Sequence, residues 1–323
     1  MRAIALTDSG AALLDGFPEP SPRPDQLLVR VLAVGLCGTD VTLASGRRGV
    51  PFKPWVLGHE AVGQVLAVGA DVVGWHPNDI AVLEPNLPCL TCPTCRRGFT
   101  SACAQRGSAG VKTQPGFMAE RVAQPAEFAF KAPAGVPLEA LVCTEPMAVA
   151  RAAVRRSGIA PGASALIIGA GAQGLFAAQL LVASGVTPAI TDVRADRIEL
   201  ATQHGAVDAA SDQRTYDYVF DAAGAPLALK SVLARLNAGA RIMCVGESHE
   251  PMAISTQELV QAQLTLTGSF IYDHPGDFEA TLNDIASGRV HPEAVLAEPF
   301  DLADSVSWLM QPSGAGKAWV DLR

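Results

Sequence analysis

The residues most suggestive of chemistry are four cysteines in one short stretch of the chain. Cys89, Cys92, Cys95 and Cys103 are separated by two, two and seven residues, in a segment rich in Pro and Gly. In a cytoplasmic chain, such dense thiolates indicate a metal site before disulfides. Four thiolates fill a tetrahedral shell and leave no open position. They therefore suit a structural zinc ion that folds a loop lacking its own core.

An iron–sulfur cluster is the alternative for these cysteines, because the spacing of the first three matches the bacterial ferredoxin pattern. In that pattern the fourth cysteine follows after three residues and precedes Pro, whereas here the gap is seven residues and Ala104 follows. The spacing therefore favours zinc. Of the other cysteines, Cys244 lies in an apolar run and is expected in the core, Cys143 is also expected to be buried, and Cys37 stands apart.

A glycine-rich pattern of the form G-x-G-x-x-G is the second chemical signal. Its three glycines, Gly169, Gly171 and Gly174, follow the apolar run Ala165–Ile168 and precede a helix-like segment. This is the context in which the pattern binds a dinucleotide. The glycines permit a tight turn and a close approach of backbone to a pyrophosphate, and the helix N-terminus attracts the anion.

Asp192 ends the next apolar run, 18 residues after Gly174. A carboxylate here can accept hydrogen bonds from both hydroxyls of the adenosine ribose and would repel a 2′-phosphate, which predicts a preference for NAD over NADP. Two observations keep alternatives open. Asp192 would also serve as an ordinary helix N-cap, and Arg194 and Arg197 nearby can accommodate a phosphate.

Cys37 and the pair His59-Glu60 form a third group. Cys37 directly follows the strand-like run QLLVRVLAVGL, and the pair follows Gly58 further along the chain. Each residue alone has an ordinary structural explanation. Together with the four-cysteine loop and the glycine pattern, however, they resemble the zinc-dependent medium-chain alcohol dehydrogenases, specifically the polyol/sorbitol, glucose and threonine dehydrogenase branch. The resemblance covers essentially the whole chain.

The resemblance implies a catalytic zinc ion bound by Cys37 and His59, with Glu60 as a ligand or a close neighbour. Glu145, in the stretch TEPMAV, matches the Glu-Pro motif of the polyol branch and is implied as a further carboxylate ligand. Such a site keeps one position for an alcohol oxygen, whose proton is lost near neutral pH. The alkoxide then passes hydride to a nicotinamide ring held alongside by the fold.

Proton release is assigned by the resemblance to Thr39, which matches the hydroxyl that carries the proton away. Many relatives continue this relay with a histidine where this chain has Thr42, so the path beyond Thr39 stays open. The remaining histidines stand in polar or turn-like contexts and are expected at the surface: His76, His204, His249, His274 and His291. Only His274 follows the last strand of the nucleotide-binding part, where family members line the substrate pocket.

The resemblance also implies the fold and the cofactor contacts. We expect a GroES-like, β-rich catalytic domain over residues 1–151, completed by residues 271–323, and a Rossmann NAD-binding domain with a doubly wound parallel sheet over residues 152–270. The implied cofactor-binding residues are Gly169, Gly171, Gln173, Gly174, Asp192, Arg197, Ala223, Val245, Gly246, Ser269 and Phe270.

The elements that must position these residues are visible in the pattern of apolar residues. The first 30 residues and residues 60–85 are strand-like. From about residue 161, short apolar runs such as ALIIG and ARIMCVG alternate with helix-like segments. This alternation predicts a parallel sheet with helices on both faces. One more helix is expected over Gly276–Ser287, before a β-like tail that ends in KAWVDL.

Length and composition agree with two cytoplasmic domains. The chain has 323 residues, which suggests two domains of about 150 residues each. Its 32 acidic and 24 basic side chains give a net charge of −8 and a pI near 5.3. This balance argues against nucleic acid and anionic membranes as partners. The N-terminus MRAIALTDSG lacks the apolar region of a secretory signal.

The apolar fraction of 49% and the mean hydropathy of +0.24 raise the question of a membrane span. Only the run Ala165–Val186 is long enough, and it contains clustered glycines and two glutamines. It divides more naturally into a strand, a turn and a helix.

The sequence therefore predicts a zinc-dependent oxidoreductase that transfers hydride between a secondary alcohol, polyol or sugar and NAD. We expect about two zinc ions per chain, a small-molecule alcohol or carbonyl substrate, and a homodimer or homotetramer. The alternative is an NADP-linked reductase of a ketone or aldehyde on the same site. A non-catalytic binding protein is disfavoured by the presence of Cys37, His59 and Glu145, and a zinc-free quinone reductase by both metal sites.

Overall fold

The computed structural model describes all residues from Met1 to Arg323. The chain forms two compact units. The first comprises Met1–Glu145, His274–Ala286 and Leu296–Arg323, and the second comprises Pro146–Asp273 and Ser287–Val295. The chain thus leaves the first unit near residue 145 and returns to it at residue 274. Assigning catalysis to one unit and nucleotide binding to the other stays a prediction.

The N-terminal part of the first unit is rich in strands. They are β1 (Ala3–Thr7), β2 (Gly10–Leu14), β3 (Gln26–Gly35), β4 (Trp55–Val56), β5 (Glu60–Val68), β6 (Ile80–Leu83), β7 (Asn86–Leu87), β8 (Gly107–Ser108), β9 (Arg121–Pro125) and β10 (Ala129–Lys131). The helices are short: α1 (Gly38–Ala44), α2 (Pro93–Arg96) and α3 (Leu138–Leu141), with 3₁₀ turns at Thr100–Ala102 and Ala126–Phe128. The helix α4 (Thr144–Ser157) follows.

The second unit alternates strands and helices, as the sequence predicts. Its strands are β11 (Ala165–Ile168), β12 (Ala189–Thr191), β13 (Val207–Asp208), β14 (Tyr216–Asp221), β15 (Leu236–Cys244) and β16 (Thr265–Gly268). Its helices are α5 (Ala172–Ala183), α6 (Ala195–Gln203), α7 (Pro226–Val232) and α8 (Thr256–Gln261), with 3₁₀ turns at Leu233–Arg235 and Pro292–Val295.

The C-terminal segment completes the first unit with α9 (Gly276–Ala286), α10 (Ser305–Met310) and β17 (Trp319–Asp321). Strand β17 pairs antiparallel with β3, in the larger sheet of order β10-β6-β5-β3-β17. In the same sheet β3 and β5 are antiparallel neighbours, with Gly35 opposite Glu60. A smaller sheet has the order β2-β1-β4, and β7 pairs with β8. The end of β3 therefore lies between the start of β5 and the last strand of the chain.

The sheet of the second unit has the order β13-β12-β11-β14-β15-β16, and all its pairs are parallel. The order reverses between β11 and β14, which confirms the predicted doubly wound sheet. All four residues of β11 are buried, as expected for a parallel strand covered on both faces. The candidate membrane run therefore forms β11, a glycine turn and α5.

Alternating burial explains the sheets of the first unit. In β3 the apolar side chains of Leu27, Val29 and Val31 are fully buried, whereas Arg30 is exposed. These side chains join one core with Trp55 and Phe117. None of the ten helices combines the length and the apolarity that crossing a bilayer requires.

Candidate metal and dinucleotide sites

Cys37, His59 and Glu60 come together because β3 and β5 are neighbouring antiparallel strands. Cys37 is the N-cap of α1, two residues beyond the end of β3, while Glu60 is the first residue of β5. One donor atom of each of the three side chains lies within 4.8 Å of the others. His59 and Glu60 are buried and Cys37 is half-buried. A thiolate, an imidazole and a carboxylate at this separation are a suitable donor set for zinc.

Asp40 supports this donor set, although no sequence motif predicts it as a site residue. Its carboxylate is fully buried and accepts hydrogen bonds from the backbone N–H groups of Cys37 (3.1 Å) and Gly58 (3.0 Å). Oδ1 also lies 3.4 Å from Nδ1 of His59. A carboxylate facing Nδ1 fixes the ring orientation and leaves Nε2 for a metal. The available signal was an acidic residue in the first turn of a helix that begins beside a cysteine.

The electrostatics of the site favour a cation. Burial alone would lower the pKa of His59, but the Asp40 carboxylate and the Cys37 thiolate raise this pKa well above its ordinary value. Burial alone would raise the pKa of Asp40, yet His59 and two backbone N–H groups lower it overall. The Asp40 carboxylate thus stabilises positive charge at this position, and the thiol, imidazole and carboxylate present fit a divalent metal ion.

Glu60 also forms an ion pair with Lys317, which precedes β17. The Nζ atom of Lys317 lies 2.5 Å from Oε2 of Glu60 and donates to the backbone oxygen of Leu36 at 2.7 Å. Burial alone would lower the pKa of Lys317, but Glu60 and Cys37 raise it, so the ammonium stays charged. A Cβ atom at Gly35 would lie 1.9 Å from Oε2 of Glu60. Glycine is therefore needed there for the carboxylate to occupy this position.

Replacing Lys317 with methionine is expected to destabilise the protein by about 3–5 kcal/mol, because the buried Glu60 carboxylate would lose its counter-charge. The double variant Lys317→Met/Glu60→Gln is expected to recover most of this loss, since no unpaired charge remains. Urea unfolding of the four proteins of this cycle measures the coupling. A loss below about 1 kcal/mol in the single variant would mean that Glu60 takes another cationic partner.

The four cysteines of the loop converge as well, and all seven cysteines of the chain are free thiols. The Sγ atom of Cys103 lies 3.5 Å from that of Cys89 and 3.9 Å from that of Cys92. A zinc–sulfur bond of about 2.3 Å places tetrahedral thiolates about 3.8 Å apart. The sulfur atoms therefore have the spacing of ligands around one ion. An iron–sulfur cluster distributes its thiolates over several irons, so this spacing favours zinc.

The thiols of the loop are prepared for metal binding by its backbone. Cys92 is the N-cap of α2, and its sulfur accepts a hydrogen bond from the N–H of Cys95 at 3.5 Å. The N–H groups of Thr91 and Cys92 lower the pKa of Cys89 to about 6. Burial and the neighbouring thiols raise the pKa of Cys95 to about 12. Because four thiolates repel one another, full ionisation of this group requires a cation.

The glycine turn lies between β11 and α5, at the point where the sheet order reverses. Gly169 has a φ of +95°, a conformation that favours glycine. A Cβ atom at Gly174 would lie 1.8 Å from the backbone oxygen of Gly169, so helix and turn can pack this closely only without a side chain. Gly171, the N-cap of α5, has no heavy atom within 4 Å of where its Cβ would be. This open space at a helix N-terminus suits a pyrophosphate.

Asp192 follows β12 and contacts the glycine turn directly. Its Oδ2 accepts a hydrogen bond from the backbone N–H of Ala170 at 2.7 Å, and its Oδ1 accepts one from the backbone N–H of Arg194 at 2.9 Å. The N-cap of α6 is Arg194, so Asp192 does not have the N-cap position considered above. The side chain of Arg197 approaches it, with Nη1 3.8 Å from Oδ2. The carboxylate thus lies beside the glycine turn, and its contact with a ribose stays a prediction.

Comparison with known proteins decides the family. The family model described as the alcohol dehydrogenase GroES-like domain matches residues 23–134, and the one described as zinc-binding dehydrogenase matches residues 172–287. D-altritol 5-dehydrogenase of Agrobacterium fabrum strain C58 is 32% identical over 286 residues, which cover 83% of this chain and 84% of that relative. The chain belongs to the zinc-dependent medium-chain alcohol dehydrogenases. This confirms the expected superfamily.

Two further similarities agree with this family. Sorbitol dehydrogenase of Bacillus subtilis strain 168 is 27% identical over 321 residues, which cover 94% of this chain and 90% of that relative. The solved structure of a zinc-binding dehydrogenase from Sinorhizobium meliloti 1021, bound to NADP, has a TM-score of 0.91 at 27% identity. The match covers 99% of this chain and 98% of that one. The similarity to polyol dehydrogenases confirms the expected branch.

The other residues that the sequence assigned to the catalytic zinc of this dehydrogenase do not belong to the group of three donor atoms. Glu145 is buried in the first turn of α4, but it is not part of the donor group of Cys37, His59 and Glu60. Its role as a ligand stays a prediction. Thr39 is half-buried in α1. The hydroxyl of Thr42 donates to the backbone oxygen of Thr39 at 2.8 Å, so its proton is already engaged within the helix.

His274 is not at the surface of this dehydrogenase, and that expectation was wrong. Its side chain is 9% exposed, with Nδ1 2.7 Å from Oε2 of the buried Glu84. Its ring centroid lies 5.0 Å from that of Phe128, and its backbone N–H donates to Thr100 at 2.7 Å. Burial raises the pKa of Glu84, an effect that His274 opposes. The buried Glu84 carboxylate requires a polar partner, and the His274 imidazole is therefore buried beside it.

The other histidines and the spare cysteines are closer to expectation. His76, His249 and His291 are exposed, whereas His204 is half-buried. Cys143 is buried, as expected. Cys244 is half-buried rather than in the core, because it is the last residue of β15 at the carboxyl edge of the sheet.

The predicted cofactor residues of this dehydrogenase follow the carboxyl ends of the parallel strands. Ala223 comes after β14, Val245 and Gly246 after β15, and Ser269 and Phe270 after β16. This edge is where doubly wound sheets bind their ligands. Gln173, in the first turn of α5, donates from Nε2 to the backbone oxygen of Pro146 at 3.0 Å. Cofactor contacts for these residues stay predictions.

Proposed function

We propose that this zinc-dependent dehydrogenase oxidises a secondary alcohol of a polyol or sugar and transfers hydride to NAD. The buried donor set of Cys37, His59 and Glu60 carries the proposal, because it fits a zinc ion with a position left for substrate. Sorbitol and D-altritol dehydrogenases among the relatives support a polyol substrate.

Different residues of the chain would bind zinc and accept the proton at this site. Cys37 and His59 would hold zinc with one carboxylate, from Glu60 or Glu145, and the other carboxylate would lie beside it, so that one position stays open for substrate. Zinc, when bound, lowers the pKa of an alcohol oxygen that contacts it. Thr39 would receive the alcohol proton at its hydroxyl. The Thr42 hydroxyl already donates its hydrogen to the backbone oxygen of Thr39. Only its oxygen is therefore available to accept a proton. Release beyond Thr39 then proceeds through water or the ribose hydroxyls.

The second unit would bind NAD through the glycine turn, with Gly169, Gly171 and Gly174 beside the pyrophosphate and Asp192 at the ribose. The carboxylate would accept hydrogen bonds from the ribose hydroxyls and repel a 2′-phosphate. Two observations favour NADP as a second candidate. Arg197 lies 3.8 Å from Asp192 and offsets part of its charge, and a structural neighbour binds NADP.

Replacing Asp192 with alanine is expected to lower the ratio of kcat/KM for NAD to that for NADP by about ten- to a hundredfold, the effect of losing a charge-assisted hydrogen bond. Asp196→Ala is the matched control, because Asp196 lies in the same segment but pairs with the side chain of Arg194. The measurement uses a panel of polyols, aldoses, amino alcohols and simple secondary alcohols, read by reduced-nicotinamide absorbance. An unchanged ratio, or turnover of carbonyls with NADPH alone, would overturn the assignment.

We further propose that the protein acts in the cytoplasm as a homo-oligomer, with the first unit as the catalytic domain and the second as the nucleotide-binding domain. Seven free thiols suit a reducing compartment. Strand β16 is an edge strand, and its residues Thr265 and Leu266 are exposed. A second copy covering this edge would protect its free backbone groups.

A further inference from the structure

The segment that follows β16 has an unusual backbone. The N–H of Ser269 still donates to Cys244 at 2.8 Å, so the sheet ladder extends one residue beyond the strand. Two residues later, Ile271 has a φ of +38°. For a β-branched side chain this conformation is an outlier that costs free energy. Such a conformation persists only where the surrounding contacts impose it.

Arg156, in the last turn of α4, supplies those contacts. Its Nη1 donates to the hydroxyl of Ser269 at 3.0 Å, to the backbone oxygen of Phe270 at 3.1 Å and to that of Ile271 at 3.0 Å. Its Nη2 donates to Oδ2 of Asp273 at 2.8 Å. A single planar guanidinium thus holds four acceptors of one segment. Lysine could not reproduce this arrangement, because its ammonium lacks the rigid fork.

Most contacts of Arg156 are partly buried. Its side chain is 13% exposed and that of Asp273 is 11% exposed. The neighbouring Arg155 also pairs with Asp273 at 2.8 Å, but its side chain is 51% exposed. Hydrogen bonds to charged groups in such a partly buried place are among the stronger ones in proteins. Arg156 therefore determines the path of the segment, whereas Arg155 pairs with Asp273 at its end.

The position of the segment in the sheet gives it a role in cofactor binding. In a doubly wound sheet the dinucleotide lies across the carboxyl edge at the point where the strand order reverses. Asp192, after β12, marks the adenosine side, and the glycine turn after β11 marks the pyrophosphate. The other half of the cofactor must therefore lie over β14, β15 and β16. Ser269 and Phe270 follow β16, and the Phe270 side chain is 48% exposed.

We propose that Arg156 is a positioning residue that holds Ser269–Ile271 in the conformation that receives the nicotinamide half of the cofactor. The inference rests on the proposed use of NAD. Arg156 itself contacts neither substrate nor cofactor. It acts through the hydroxyl of Ser269 and the backbone of Phe270 and Ile271, which it fixes at the edge of the sheet.

The test compares binding of NADH with binding of ADP-ribose, which lacks the nicotinamide ring, by titration calorimetry on the zinc-loaded protein. Arg156→Met is expected to weaken NADH binding by about tenfold or more and ADP-ribose binding by less than about twofold. Arg156→Lys keeps the charge and gives an intermediate loss, and it replaces the methionine variant should that one fail to fold. Arg155→Met is the matched control and changes NADH binding by less than about threefold.

The outcomes separate this inference from the proposed function. Equal weakening of NADH and ADP-ribose would mean a merely structural role and would overturn the inference, as would unchanged NADH binding in both Arg156 variants. In steady-state assays of the Arg156 variants, a rise in KM for NAD that exceeds the rise in KM for the alcohol supports the inference. Should the unmodified protein bind neither NAD nor NADP, the proposed function itself fails.

Discussion

Replacing Cys37 with alanine is expected to lower turnover by at least about a thousandfold and to reduce bound zinc from about two ions per chain to about one. The reason is the composition of the donor set. Cys37 supplies its only thiolate, beside His59 and Glu60. Without it, an imidazole and a carboxylate already paired with Lys317 remain. Zinc content by atomic absorption and initial rates on the best substrate measure the two effects.

The matched control for this experiment is Cys244→Ser, because Cys244 is also half-buried but belongs to neither group of donor atoms. It is expected to keep both zinc ions. A chelator that removes the accessible ion should abolish turnover of the unmodified protein, and added zinc should restore it. Added zinc should not restore the Cys37 variant. Retention of both ions, or full turnover, in that variant would show that Cys37 is not a ligand.

The features predictable from sequence were those carried by local spacing. The four cysteines of the loop are close in the chain, and the three glycines fall between a buried strand and a helix. Both signals use side chains or backbone that the chain itself brings together within a few residues. Cys37 and His59 are different, because their meeting depends on the pairing of β3 with β5. Only the resemblance to a family predicted that these two residues share a site.

The features that sequence missed depend on partners far along the chain. Lys317 contacts Leu36 across 281 residues, and His274 contacts Glu84 across 190 residues. No periodicity or motif in one sequence links such pairs. His274 stands in a polar context and so was expected in water, yet the buried Glu84 requires a polar partner. Arg156 was missed for the same reason, since its four acceptors lie beyond residue 268.

Replacing Cys95 with serine is expected to remove the second zinc ion and to unfold the loop between β7 and β8 while both large sheets remain. Structural zinc contributes a binding free energy of about 10–16 kcal/mol in zinc-finger peptides. This loop has little apolar core to replace that contribution, since its buried residues are Pro88, Cys95, Thr100, Ser101 and Cys103. The exposed Arg96 and Arg97 provide trypsin sites within it. Cleavage there should become at least about a hundredfold faster.

Thr94→Ala is the matched control for this variant, because Thr94 lies in the same short helix and offers no thiolate. It should keep about two zinc ions and the slow cleavage. The contrary result is also informative about the forces in the loop. Slow cleavage of a Cys95→Ser protein that holds only one zinc ion would mean that hydrogen bonds order the segment without metal. Those bonds would be the one from Arg106 to Asn86 and the one from the N–H of His274 to Thr100.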